Sequence, residues 1–183
     1  MINEAIKNVS VSTHPFDHSH QVQISLCYGE AVKLSGKNGS GKTTILKTLS
    51  GHYIGQLKLE DMVVRPFYIS EQPLKIEGLT VFEQLGYYEN LYGSQKKYWP
   101  WLDDILTRRV VSLSRGQLQR LSLNRLAYST ACVWLLDEPF NGLDTQSVCH
   151  LNQYIDDHLS EGGGVLYTSH VNARSQDRCI VID

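Results

Sequence analysis

The run Gly36-Lys37-Asn38-Gly39-Ser40-Gly41-Lys42-Thr43 has the residue types and spacing of a loop built to hold phosphate. Its glycines let the backbone curl until successive N–H groups and the start of a following helix point at one anion. The neighbouring segments suit that task. Ala31-Val32-Lys33-Leu34 reads as a short strand, and residues 42–50 have helical character that stops at Gly51. In such a loop Lys42 reaches the β- and γ-phosphates of a nucleoside triphosphate, and the Thr43 hydroxyl coordinates Mg²⁺. Asn38, Gly39, Ser40, Gly41 and Thr44 are further candidates for phosphate contact. The competing reading, a glycine-rich turn with an incidental lysine, leaves the strand before it and the helix after it unexplained.

Val133-Trp134-Leu135-Leu136-Asp137-Glu138 is an apolar strand that ends in two carboxylates. A carboxylate at the C-terminal end of a parallel strand, beside a phosphate loop, is placed to hold Mg²⁺ through water; here that is Asp137. Glu138 next to it can polarise an attacking water as a general base. Alone, the pair could equally be a strand end facing solvent. Beside the phosphate loop that reading is the weaker one.

These groups need a scaffold. The chain has 183 residues, enough for one substantial domain with a core and too few for two nucleotide-binding domains. A polar, alternating stretch over residues 5–26 predicts antiparallel strands, with Tyr28-Gly29 as a hairpin turn. Residues 63–70 read as a strand that Pro66 places at an edge. Val81-Phe82, Leu85, Tyr88 and Leu91-Tyr92 then recur at helical spacing, and Tyr98-Trp99-Pro100-Trp101-Leu102 breaks the pattern. This predicts a small helical lobe, about residues 73–128, inserted in the core. A helix over 115–128, strand 132–136, helix 145–159, strand 165–168 and strand 179–182 follow. The predicted fold is α/β: a P-loop NTPase core, a mostly parallel sheet with flanking helices, carrying an N-terminal antiparallel β portion and the helical lobe.

A formal net charge of -2 gives no reason to expect nucleic-acid affinity. Cys27, Cys132, Cys149 and Cys179 are far apart and lack metal-site spacing, which reads as reduced thiols in a cytosolic protein. No run approaches the roughly 18 apolar residues of a membrane-spanning helix. Met1-Ile2-Asn3-Glu4-Ala5 lacks the basic-then-apolar order of a signal peptide. Work at a membrane would require a partner.

Leu113-Ser114-Arg115-Gly116-Gln117, ahead of the Asp-Glu pair, resembles the LSGGQ signature of ABC ATPases. Gln72 stands where that family has its Q-loop glutamine, Gly142-Leu143-Asp144 resembles the D-loop, and Ser169-His170 resembles the switch histidine. Ordered motifs from Gly29 to His170 carry the resemblance. It implies two chains facing each other, with ATP and Mg²⁺ sandwiched between the Walker motifs of one and the signature of the other. Glu138, His170 and Gln72 would then be catalytic, with Thr43, Asp137 and Gln72 around the metal. Ser114, Gly116 and Asp144 would bind the nucleotide held by the partner's Lys42, and Gln72 would report the γ-phosphate to the lobe. A hydroxyl just before a helix suits an anion; equally, it suits a cap of the helix that follows Ser114. Two departures stand out. Arg115 replaces the usual glycine, facing the nucleotide or outward. The adenine-stacking aromatic has no clear match: Thr13 and His14 are near its place, and Phe16 is the candidate.

One P-loop, a short insertion and the absence of sustained heptads favour the cassette of a membrane complex. They disfavour a coiled-coil chromosome or repair ATPase and a two-cassette translation factor. Retention of Glu138 and His170 argues against a binding module without hydrolysis. Gly78-Leu79-Thr80-Val81-Phe82-Glu83-Gln84-Leu85, Leu135 to Asp144, and Gly162-Gly163-Gly164 before Thr168-Ser169-His170 resemble the ATPase subunit of the cytochrome c maturation system, a haem exporter. The alternative is an ATPase for another small exporter of drug, lipid or peptide. The resemblance implies integral membrane subunits and a place on the cytoplasmic face of the inner membrane. Lys96, Lys97, Arg108, Arg109, Arg115, Arg120 and Arg125 would meet those subunits or anionic headgroups, or form a solvated face. Tyr98, Trp99 and Trp101 are docking aromatics or the lobe's own core.

Overall fold

The computed structural model describes residues 4–14, 17–53, 64–93 and 98–182. The alternation near the N-terminus becomes an antiparallel pair, β1 (Glu4–His14) and β2 (Asp17–Cys27), with His14 opposite Asp17. The hairpin therefore reverses between those residues and not at Tyr28-Gly29. Gly29, at φ +77, instead steers the chain into β3 (Ala31–Gly36), which belongs to another sheet. Long-range partners decide this. Gly29 N–H donates to the Gly163 carbonyl at 2.6 Å, and Val165 N–H to that of Glu30 at 3.0 Å.

After α1 (Lys42–Leu49), β4 (Phe67–Ile69) is shorter than the predicted strand, starting directly after Pro66, which has no N–H to give a ladder. Residue 63 lies outside the described residues. The helical lobe follows, with α2 (Val81–Tyr92), 3-10 turns Pro100–Ile105 and Val110–Ser112, and α3 (Arg115–Leu123). The predicted helix over 115–128 tightens into a 3-10 segment, Asn124–Tyr128, where buried Asn124 accepts the Trp99 N–H at 2.7 Å. Strand β5 (Val133–Leu136), α4 (Thr145–Ser160), β6 (Gly164–Thr168) and β7 (Arg178–Ile182) complete the chain. The order β4-β5-β6-β3-β7 is parallel throughout.

Burial follows the period of the strands. Val133, Leu135 and Leu166 face one core with the hairpin and with Ile45, Leu46 and Leu49 of α1. Trp134, Leu136, Val165 and Tyr167 face the other, with α4 and the lobe. Both faces are covered, as an all-parallel sheet requires. In the lobe, Thr80 and Glu83 cap α2 reciprocally, and Gly93 ends it at φ 64. Its fully buried Gln84 is satisfied. The side chain donates to the Leu74 carbonyl at 3.0 Å and to Tyr88 Oη at 2.6 Å, and accepts from Ile76 N–H at 3.0 Å. It thereby ties the segment after Gln72 to the lobe.

His158 of α4 lies flat on Trp134 of β5, ring centroids 3.7 Å apart. Burial holds its imidazole below the ordinary histidine value. The unfolded chain takes up this proton first. The contribution is complete above the unfolded value of about 6.5 and is lost as pH falls through it. Thermal unfolding followed by circular dichroism should therefore show a midpoint that drops between about pH 7 and about pH 5.5, more steeply in wild type than in His158→Phe.

Candidate functional site

The phosphate loop leaves the C-terminal end of β3 and closes at Gly41, the N-cap of α1, at φ 95. A Cβ on Gly41 would run into the Thr13 carbonyl, so only glycine lets the end of β1 lie against the loop. Lys42 is buried, and its ammonium donates to the carbonyls of Gly36 at 2.9 Å and Lys37 at 2.8 Å. The charge is thus held within the curve of the loop, where an anion would be bound. The Ser40 hydroxyl lies against Gly36 and has no protein partner.

Strand β5 delivers Asp137, whose N–H donates to the Ile69 carbonyl of β4 at 2.9 Å. The buried carboxylate accepts three hydroxyls: Thr168 at 2.8 Å and Thr43 at 3.1 Å on Oδ1, and Tyr68 at 3.3 Å on Oδ2. Burial and then the Asp137 charge push the Tyr68 phenol far above its ordinary value, so it stays a donor. Thr43 and Asp137 offer only hard oxygen donors, a fit for Mg²⁺. Glu138 adopts φ 49, a left-handed conformation that a side-chain-bearing residue seldom takes. Its N–H donates to Thr168 Oγ1 at 2.8 Å, and its Oε2 accepts from His170 N–H at 3.2 Å. The other oxygen, Oε1, is buried without a hydrogen bond from the protein, 3.5 Å from His170 Nε2. A carboxylate oxygen left open beside a phosphate loop is the feature a water-polarising base needs.

One cleft of about 530 Å³ brings together Asn38, Gly39, Gly41, Lys42, Thr43, Thr44, Asp137, Glu138 and His170. Gln72 opens on the adjoining cleft, which shares Thr43 and Asp137 with it. Thr13 and His14 also line the first cleft. Phe16 lies outside the described residues.

Ser114, Gly116 and Asp144 are elsewhere. They line a cleft of about 1070 Å³ that shares no residue with the first. Ser114 caps α3: its Oγ accepts from Gln117 N–H at 3.3 Å, and Gln117 Oε1 accepts from Ser114 N–H at 3.1 Å. Asp144 caps α4, and the Ser147 N–H at 2.7 Å holds its carboxyl below the ordinary range. Gly116 packs so closely on the Gly142 carbonyl that a Cβ would overlap it. Arg115 lines this second cleft with its stem against Gly142.

A family model for the ABC transporter matches residues 19–141. The chain belongs to the ABC transporter family. The cytochrome c biogenesis ATP-binding export protein CcmA of Xanthomonas oryzae pv. oryzae (strain MAFF 311018) is 34% identical over 164 residues, covering 78% of this chain and 74% of its own. The protein of that name from Cereibacter sphaeroides is 33% identical over 159 residues, 83% of this chain and 75% of its own. A solved ATP-binding subunit of an ABC transporter superposes with a TM-score of 0.77 at 24% identity, over 98% of this chain and 85% of that one, which fixes the fold. The protein is thus an ABC-type ATPase. No helix among the described residues is long and apolar enough to cross a membrane.

Within this ABC fold the lobe's aromatics are mostly internal. Trp101 is buried, and Trp99 stacks on Tyr154 of α4 at 3.8 Å, whereas Tyr98 is exposed. Four of the arginines are also engaged. Arg108 donates to Gln117 Oε1 at 3.0 Å and to the Ser112 carbonyl at 2.8 Å, and Arg109 to the Gly78 carbonyl at 3.4 Å. Arg120 pairs with Asp104 at 3.1 Å and donates to the Trp101 carbonyl, and Arg125 donates to Tyr92 Oη at 3.0 Å. Lys96 and Lys97 lie outside the described residues. Sequence reasoning assigned no site role to Tyr68 or to Thr168, although Thr168 stands just before Ser169-His170. Their one sequence signal is a hydroxyl in or at the end of an apolar strand, Phe67-Tyr68-Ile69 and Gly164-Val165-Leu166-Tyr167-Thr168. Ser114→Ala should cost about 1 kcal/mol of unfolding free energy in the nucleotide-free chain, read from urea denaturation.

Proposed function

We propose that this chain is the ATP-hydrolysing subunit of a membrane export complex of the cytochrome c maturation kind, in which hydrolysis serves haem delivery. The observation that carries the hydrolytic part is the open, buried Glu138 Oε1 in the cleft of Lys42, Thr43, Asp137 and His170. The export part rests on the CcmA relatives, which match about three quarters of their own length. In this reading residues 1–183 form one nucleotide-binding domain, with the lobe at 73–128 inserted in it. The chain sits on the cytoplasmic face of the inner membrane, held there by integral membrane subunits that choose the cargo.

Lys42 and the backbone N–H groups from Asn38 to Thr44 hold the β- and γ-phosphates. Thr43, Asp137 and Gln72 would hold Mg²⁺, which neutralises charge on the β- and γ-oxygens. Glu138 Oε1 accepts the proton of the attacking water, and His170 contacts the γ-phosphate. In this reading His14, which lines the same cleft from the end of β1, would meet the adenine ring. Gln72 precedes the segment that Gln84 ties to the lobe, giving γ-phosphate occupancy a mechanical route to the membrane side.

The separation of the two clefts supports pairing of two copies. One chain presents Lys42 in one cleft and Ser114 in another, so a sandwiched nucleotide needs a second chain. Glu138→Gln should keep ATP binding, lower hydrolysis by at least about 100-fold, and trap an ATP-dependent dimer seen by size-exclusion chromatography. Hydrolysis at the wild-type rate would remove Glu138 as the base. Lys42→Ala should abolish nucleotide binding, and unchanged affinity would overturn the phosphate-loop assignment. Co-purification of the chain with its membrane subunits, followed by mass spectrometry, tests the export reading.

A further inference from the structure

We propose that Thr168, assisted by Tyr68, is a positioning residue that sets the Asp137 carboxylate and the Glu138 backbone together. This rests on the hydrolytic reading above and gives a role to two hydroxyls to which that reading assigns none. Thr168 is fully buried at the end of β6. Its Oγ1 accepts the Glu138 N–H at 2.8 Å, so its own proton is directed to Asp137 Oδ1, also at 2.8 Å. A single hydroxyl thus bridges two successive residues. Across that bridge the backbone takes its left-handed turn at Glu138, φ 49. The turn aims the Glu138 side chain at His170, where Oε2 takes the backbone N–H and Oε1 stays open.

Tyr68 holds the other oxygen of Asp137 at 3.3 Å from the neighbouring strand. Thr43 reaches Oδ1 as well, but its hydroxyl also belongs to the phosphate loop and must serve the metal. Thr168 and Tyr68 are the donors with no such second duty. They fix the plane of the carboxylate before any ligand arrives. Without them Asp137 would be free to rotate about its side chain, and the Glu138 turn would lose its anchor. An error of about 1 Å in such a site can cost on the order of 100-fold in rate.

Thr168→Val keeps the shape and removes the bridge; Thr168→Ser keeps the bridge; Tyr68→Phe removes only the second donor. ATP affinity of the full chain is measured by displacement of a fluorescent nucleotide, in EDTA and in Mg²⁺, alongside steady-state hydrolysis. Thr168→Val should leave affinity in EDTA within about twofold of wild type and remove several-fold of the gain conferred by Mg²⁺. It should also lower kcat by about tenfold or more. Thr168→Ser should restore both, and Tyr68→Phe should lower the Mg²⁺ gain with a smaller effect on kcat. A purely structural role would lower active fraction alone, leaving the Mg²⁺ gain and its concentration dependence unchanged; that result overturns the proposal. The same holds if Thr168→Ser behaves as Thr168→Val does. If Thr168→Val loses the Mg²⁺ gain while Glu138→Gln hydrolyses ATP normally, the bridge stands and the assignment of the base falls.

Discussion

Asp137 is buried, and a carboxylate taken out of water costs several kcal/mol unless its oxygens find donors. Here the donors come from three places distant in sequence: Thr43 at the head of α1, Tyr68 on β4 and Thr168 on β6. That requirement fixes much of the architecture. Strands β4, β5 and β6 must be parallel neighbours in register, so that their C-terminal ends meet at one level. The phosphate loop follows β3, the next strand in the order, so it opens at the same edge. The groups that line the cleft converge because a parallel sheet collects the ends of strands far apart in the chain.

The sheet in turn depends on cover from both sides. The hairpin and α1 bury one face, and α4 with the lobe buries the other. The lobe is not merely appended. Tyr88 packs edge-on to Tyr128, Phe67 of β4 packs against Tyr92, and Trp99 stacks on Tyr154 of α4. The aromatic contacts join the lobe to an edge strand and to the helix whose N-cap is Asp144. The Gln84 hydrogen bonds extend that connection to the segment just after Gln72. A shift of the lobe must therefore be felt near the cleft, a physical basis for coupling that requires no flexible hinge.

Local chemistry was legible in the sequence; long-range geometry was not. The glycine-rich loop and the Asp137-Glu138 strand end could be read because each motif is contained within a few residues, and the two meet in one cleft. The α/β alternation was equally plain, since strand and helix periods differ. Tyr28-Gly29 misled because its turn chemistry is genuine, yet the partner strand is chosen by the contacts of Gly29 to Gly163, just before β6, and of Glu30 to Val165 of β6. The shared role of Tyr68 and Thr168 was hidden for a related reason: nothing in their own segments says that β4 and β6 flank β5. The contribution of the end of β1 to the cleft was hard to read, because it depends on the close packing of Thr13 on Gly41, residues far apart in the chain. The structure brings His14 and Thr13 there.

Ser114 shows why two roles that look exclusive need not be. Its hydroxyl accepts the Gln117 N–H and so caps α3, the structural role open to any residue before a helix. A serine hydroxyl has one proton to give and two lone pairs to receive. Capping uses a lone pair and leaves the proton for an oxyanion at the helix N-terminus, which also favours negative charge. The cap therefore holds the side chain in place for such a contact. Gly116 adds to this by packing directly on the Gly142 carbonyl, which sets the start of α3 against the loop before α4. A surface already ordered in the single chain would give up little conformational entropy on binding an anionic ligand.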